Sequence, residues 1–286
     1  MTDRFVWVSW NRHKRVYDAV LAGAAGLYLA VFIGASFVFA ESEPDPVVVL
    51  IRATGSLALV LLHAALCIGP LARLSDRLAP LLYNRRHLGV TIFCVALLHA
   101  VLVVGYYGGF GVTNPLWAVL FEGRRAMSPV AFPFELLGFC GLVVLFVMAA
   151  TSHDFWLDVL SPAVWKGIHM AVYPAYALLV GHVALGRLME EPVSVRGGLL
   201  LAGAVTVAGL HLWAGLRETA RDSAGWKPMP DEDLGDAEEW LEAGTVDDIA
   251  EDRARVVCLA GRERVAVFKH DGKIFALSNV CAHQMG

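Results

Sequence analysis

Six apolar runs, each long enough to cross a hydrocarbon layer of about 30 Å, constrain this chain more than any other feature. They span residues 17–40, 47–71, 87–107, 132–151, 163–188 and 197–216. Lipid offers backbone N–H and C=O groups no water partner, so such runs must become helices that satisfy their own hydrogen bonds. The expected fold class is an all-α membrane protein, a six-helix transmembrane bundle over residues 1–216. Composition agrees: 57% of residues are hydrophobic and 17% charged, against roughly 45–50% and about 25% in a soluble domain. Five cysteines, an odd number with three in apolar runs, do not form a disulfide framework. A net charge of −4 predicts no nucleic-acid partner. The partner that composition does predict is the bilayer.

Lys and Arg in short connections set orientation. Arg4, Arg12, Lys14 and Arg15 flank the first run; Arg73, Arg77, Arg85 and Arg86 fill the second connection; Arg217 and Arg221 follow the sixth run. The other side has Arg52, Arg124, Arg125, Arg187 and Arg196, with an acidic first connection at Glu41, Glu43 and Asp45. The balance predicts an inner-membrane protein with both termini cytoplasmic. The first run is too long for a cleaved signal peptide and is expected to stay.

After residue 216 the chain changes character. Residues 217–252 are strongly acidic and read as a solvated linker. From 253 the period becomes two, with short strands predicted over 256–259, 264–269 and 273–277. The turn His270-Asp271-Gly272 joins the last two, because Asp-Gly suits a tight hairpin. Three short strands cannot close a core, so 253–286 is expected to be the N-terminal part of a longer, here incomplete, all-β domain.

Histidine carries the chemistry. His63, His99, His169, His182 and His211 lie within apolar runs, and His87 begins the third. An ionisable side chain in hydrocarbon is costly and marks a functional site by default. His169 and His182 are thirteen residues apart, roughly 20 Å along a helix. One falls near the inner third of the membrane and the other near the outer third. Two stacked haems, one per leaflet, fit that separation; a single metal site does not. Each haem then needs a second axial ligand at matching depth. His99, in the outer half of its run, pairs with His182. For His169 the candidates are His63, His87 and His211. His63 is favoured for its apolar surroundings, and His87 comes second because it adjoins Arg85 and Arg86. Two imidazoles fill both axial positions of a haem, which suits electron transfer. His13 and His153 read as solvated, and His270 as a turn residue.

These residues resemble a known family. Thr54-Gly55, Gly69-Pro70-Leu71-Ala72-Arg73, Arg85-Arg86-His87-Leu88-Gly89 leading to His99, and Trp165-Lys166-Gly167-Ile168-His169 leading to His182 are similar to the ferric-reductase-like transmembrane domain. Within it, the likeness is to the haem-binding membrane subunits of bacterial methionine sulfoxide reductase systems. The resemblance covers about residues 20–216. It implies b-type haem, two in number, with His99, His169 and His182 at the family's ligand positions. The chain departs from it at His63 and His87, where those subunits carry apolar residues. The approach Ala276-Leu277-Ser278-Asn279 to Cys281-Ala282-His283 resembles the first half of a Rieske [2Fe–2S] domain. It implies Cys281 and His283 as cluster ligands, with a later Cys-X-X-His to complete the set.

The expected function is transmembrane electron transfer. A cytoplasmic donor, a reductase or a ferredoxin-like protein, would supply electrons through a Rieske centre and two haems. The acceptor would be ferric iron or a periplasmic redox protein. One alternative is a quinol-linked haem subunit serving a separate reductase. Another is a proton-coupled carrier using membrane histidines as relays, which the scarcity of membrane carboxylates disfavours.

Overall fold

The computed structural model describes residues 12–40, 42–109, 111–122, 134–188, 195–225, 243–249, 254–258 and 264–279. It divides into two units: Met1–Asp154 with Ile168–Ala214, and Phe155–Gly167 with Gly215–Gly286.

The helices come first along the chain. α1 is Arg12–Val38 and α2 is Pro46–Leu74. α3 is Arg85–Val103 and runs on into a π-turn at Val104–Gly108. A single turn, α4 (Pro115–Trp117), follows, and then α5, Phe134–Ala150. α6 (Asp154–Val159) and α7 (Pro162–Met170) are short, α8 is Val172–Leu188, and α9 is Val195–Gly225. α2 packs on α3, and α5 packs on α8 and α3.

Local chemistry sets these limits. Asp45 caps α2 by accepting from the N–H groups of Val47 at 2.7 Å and Val48 at 3.3 Å, and Pro46 occupies a position whose N–H would be orphaned anyway. Pro174 lacks the N–H that would bond to Met170. The fifth predicted span is accordingly two helices meeting at Ala171. His169 and His182 therefore stand on α7 and α8, on either side of that joint.

The buried core is Leu62, Ala65 and Leu66 of α2, Leu88 and Ile92 of α3, Leu145 of α5 and Val207 of α9. Large apolar side chains also face outward, among them Val20, Leu27 and Val31 of α1. None of α1 is buried. In water that surface would be a liability, but against lipid tails it carries no such penalty. Among the described residues, five helical stretches are long and apolar enough to cross a membrane: Arg12–Val38, Pro46–Leu74, Arg85–Gly108, Ala163–Gly186 (which takes in α7 and α8) and Gly197–Ala220. The fourth predicted span is represented by Phe134–Ala150, an apolar helix of 17 residues, about 26 Å long. The protein is thus a mostly helical, multi-pass membrane protein.

In the second unit β1 (Ala254–Cys258), β2 (Arg264–His270) and β3 (Lys273–Ser278) form an antiparallel sheet in that order. Phe268 lies opposite Phe275, their rings stacked at 5.4 Å, a cross-strand pair that holds register. Asp271 and Gly272 both have positive φ, 49° and 72°. That is the two-residue turn whose twist matches the strands it joins, at the position the Asp-Gly pair predicts.

Candidate functional site

His99 projects from α3 towards α2. Its Nδ1–H donates to the carbonyl of Ile51 at 2.9 Å. His182 projects from α8 towards α5, and its Nδ1–H donates to the carbonyl of Phe134, also at 2.9 Å. A carbonyl oxygen only accepts, so the proton of each neutral ring sits on Nδ1 and the lone pair on Nε2. Such a bond fixes tautomer and ring orientation together. Both rings are part-buried, and α5 packs against both α3 and α8. The ring of Phe134 also packs against His182, at 5.4 Å between centroids.

The remaining candidates are held differently. His63 donates from Nδ1 to the Leu59 carbonyl of its own helix at 2.8 Å, and its Nε2 meets the Tyr176 hydroxyl at 3.0 Å. Both ring nitrogens are engaged. His87 pairs through Nδ1 with the Asp18 carboxylate at 2.9 Å. His211 donates from Nδ1 to the Val207 carbonyl at 2.9 Å, with its ring edge-on to Tyr173. Ser152 Oγ stands 3.4 Å from Nε2 of His169. Cys281 and His283 lie outside the described residues. Among the described residues, no three His, Cys, Asp or Glu side chains converge on a point that could hold a bare metal ion.

A planar cofactor bonded from both faces by imidazole fits the first pair. Each ring presents one unprotonated nitrogen, and each is braced from behind. Sequence reasoning missed the braces, Ile51 and Phe134, and missed Tyr176.

Residues 54–180 match the ferric reductase like transmembrane component family. Residues 239–286 match the Rieske [2Fe-2S] domain. A curated relative from Xanthomonas campestris, the protein-methionine-sulfoxide reductase heme-binding subunit MsrQ, is 33% identical over 187 residues, 63% of this chain and 77% of the relative. The chain belongs to the MsrQ family. The MsrQ of Caulobacter vibrioides is 29% identical over 184 residues, 64% of this chain and 80% of that one. The MsrQ of Bordetella pertussis is 33% identical over 138 residues, 48% and 61% respectively. The predicted recognition, a ferric-reductase-like membrane domain joined to a Rieske-type segment, therefore holds. The ferric-reductase-like match begins at Thr54, beside Gly55, and ends two residues before His182.

Proposed function

We propose that this chain carries electrons across the inner membrane as a haem-bearing subunit. One b-type haem is held between His99 and His182. The observation that carries this reading is the pair of matched hydrogen bonds, which place the proton of each ring on Nδ1 and its lone pair on Nε2. When bound, haem supplies a one-electron carrier, and bis-imidazole ligation leaves the iron no vacant position.

The chain's own residues do the rest. The carbonyls of Ile51 and Phe134 hold the rings in the ligating tautomer and raise their donor strength. A second haem on the cytoplasmic side takes His169 as one ligand. Its partner is His87 or His211 in preference to His63, whose Nε2 the Tyr176 hydroxyl holds at 3.0 Å, closer than the 3.4 Å at which Ser152 stands from Nε2 of His169. Phe134–Ala150 makes a sixth crossing, which puts both termini in the cytoplasm. Residues 217–252 form a linker to the Rieske-type segment at 253–286, where Cys281 and His283 are one thiolate and one imidazole of a [2Fe–2S] set. The electron source is a cytoplasmic reductase, a ferredoxin-like protein or quinol. The acceptor is ferric iron or a periplasmic redox protein. The MsrQ relatives, heme-binding subunits by name, favour a subunit serving a separate methionine sulfoxide reductase over a self-sufficient enzyme.

The test is the optical spectrum of the detergent-purified chain, oxidised and dithionite-reduced, with haem quantified per chain. About two b-type haems are expected, falling by about one in His99→Ala and His182→Ala alike. Protein made with ample haem but lacking haem absorbance would overturn the reading. Full haem content in either variant would overturn the ligand assignment.

A further inference from the structure

The two histidine braces share a second feature. One turn after Ile51 comes Gly55, and one turn after Phe134 comes Gly138. A Cβ at Gly55 would lie 2.9 Å from both Nδ1 and Cε1 of His99. A Cβ at Gly138 would lie 2.8 Å from Nδ1 and 2.9 Å from Cε1 of His182. In a helix the carbonyl of residue i points at residue i+4, whose N–H uses one of its two lone pairs. A donor from a neighbouring helix reaches the other lone pair by lying over residue i+4. That approach is open only if residue i+4 has no side chain.

Among the described residues, other glycines do not share this geometry. Gly23, Gly26, Gly89 and Gly105 face open space. Gly203 touches His63, but His63 spends its Nδ1–H on its own helix. The combination of a foreign carbonyl with glycine one turn on occurs at His99 and His182, at the same sequence separation of 48. It is one device used twice, once on the α2–α3 pair and once on α5–α8.

We infer that Gly55 and Gly138 are positioning residues for the haem ligands, each opening a socket in which a backbone carbonyl sets the plane and tautomer of the axial imidazole. This rests on the reading of His99 and His182 as ligands. Adding a methyl group displaces the ring, lengthens the Nδ1–H···O=C bond and weakens the imidazole as a donor. Loss of such a supporting bond typically costs about 10–100-fold in affinity for the bound metal group. A weaker donor also stabilises the oxidised iron less, so the midpoint potential rises.

The experiment uses the full chain in detergent, with Gly55→Ala, Gly138→Ala and the control Gly141→Ala. Gly141 lies on the same α5 face, and a Cβ there meets Leu179 at 2.9 Å, not a histidine. It therefore reproduces the crowding without touching a ligand. Haem affinity, midpoint potential and the low-spin EPR signal are measured for each. Gly55→Ala and Gly138→Ala are expected to lose about 10–100-fold in haem affinity, raise the potential and shift the EPR g-values, while Gly141→Ala keeps the wild-type potential and g-values. Wild-type potential and g-values in both socket variants overturn the proposal, as does an equal shift in Gly141→Ala. His99→Ala and His182→Ala run alongside: full haem content there defeats the ligand reading itself, whereas haem loss there with unaffected glycine variants defeats the sockets alone. If the glycine variants do not accumulate, pulsed ENDOR on the unmodified protein decides. A hydrogen-bonded Nδ1 proton on both ligands is expected, and its absence on either overturns the proposal.

Discussion

Tyr176 donates its hydroxyl to Nε2 of His63 at 3.0 Å, across 113 residues of sequence. The direction follows from the other side of the ring, where Nδ1–H is committed to the Leu59 carbonyl. His63, a candidate haem ligand by composition and depth, here links α2 to α8 through that bond. The two rings also meet edge-on, at 5.3 Å.

Removing that link separates a packing role from a ligand role. Tyr176→Phe leaves one nitrogen of His63 unpaired in a partly buried setting, which costs about 1–3 kcal/mol. The expected outcome is a lower thermal midpoint in detergent with haem per chain unchanged. His63→Leu is likewise expected to keep its haem, while His169→Ala loses about one. Haem loss in His63→Leu would return His63 to the ligand set.

Asp45 joins the start of α2 to the end of α3, because the Tyr106 hydroxyl donates to its second carboxylate oxygen. That hydroxyl holds the carboxyl below its usual range, helped by the N–H groups of Val48 and Val47. A depressed folded pKa stabilises the protein above the unfolded value, about 3.9, and the contribution vanishes as pH falls through the folded value. Asp45→Ala should therefore melt earlier than wild type at pH 7. The gap should close as the pH is lowered through and below the ordinary carboxylate range. A pH-independent gap would show that the charge is not involved.

Whether Phe134–Ala150 crosses the membrane decides the side of everything after it. Reporter fusions test this directly. With six crossings, green fluorescent protein fluoresces when fused after residue 152 or after residue 225, and alkaline phosphatase is active when fused at residue 112. An inactive fluorophore and active phosphatase after residue 225 would mean five crossings.

Gly272 is needed for its backbone rather than its surroundings, since a Cβ there meets nothing within 4 Å while φ is +72°. Gly272→Ala should destabilise the β2–β3 hairpin by about 1–2 kcal/mol, read as faster amide exchange in residues 265–277. Exchange in α2 and α3 should not change.

The parts of this protein legible in one dimension are those decided over short distances. Run length specifies a helix in lipid, as in α1, α2, α3 and α9. Asp271-Gly272 specifies its turn because both residues tolerate positive φ. The placing of His99 and His182 inside apolar helices was legible from run length. The break at Ala171 was written locally in Pro174, but a hydropathy run passes straight through a proline. Tertiary structure alone decided which ring nitrogens are free. In these helices apolar residues face both protein and lipid, so hydrophobic pattern does not reveal which face meets a neighbour. Whether His63 reaches Tyr176, or His99 reaches the Ile51 carbonyl over Gly55, depends on the rotation and register of one helix against another. Those are set by close packing at small residues, and no local stretch of sequence encodes them.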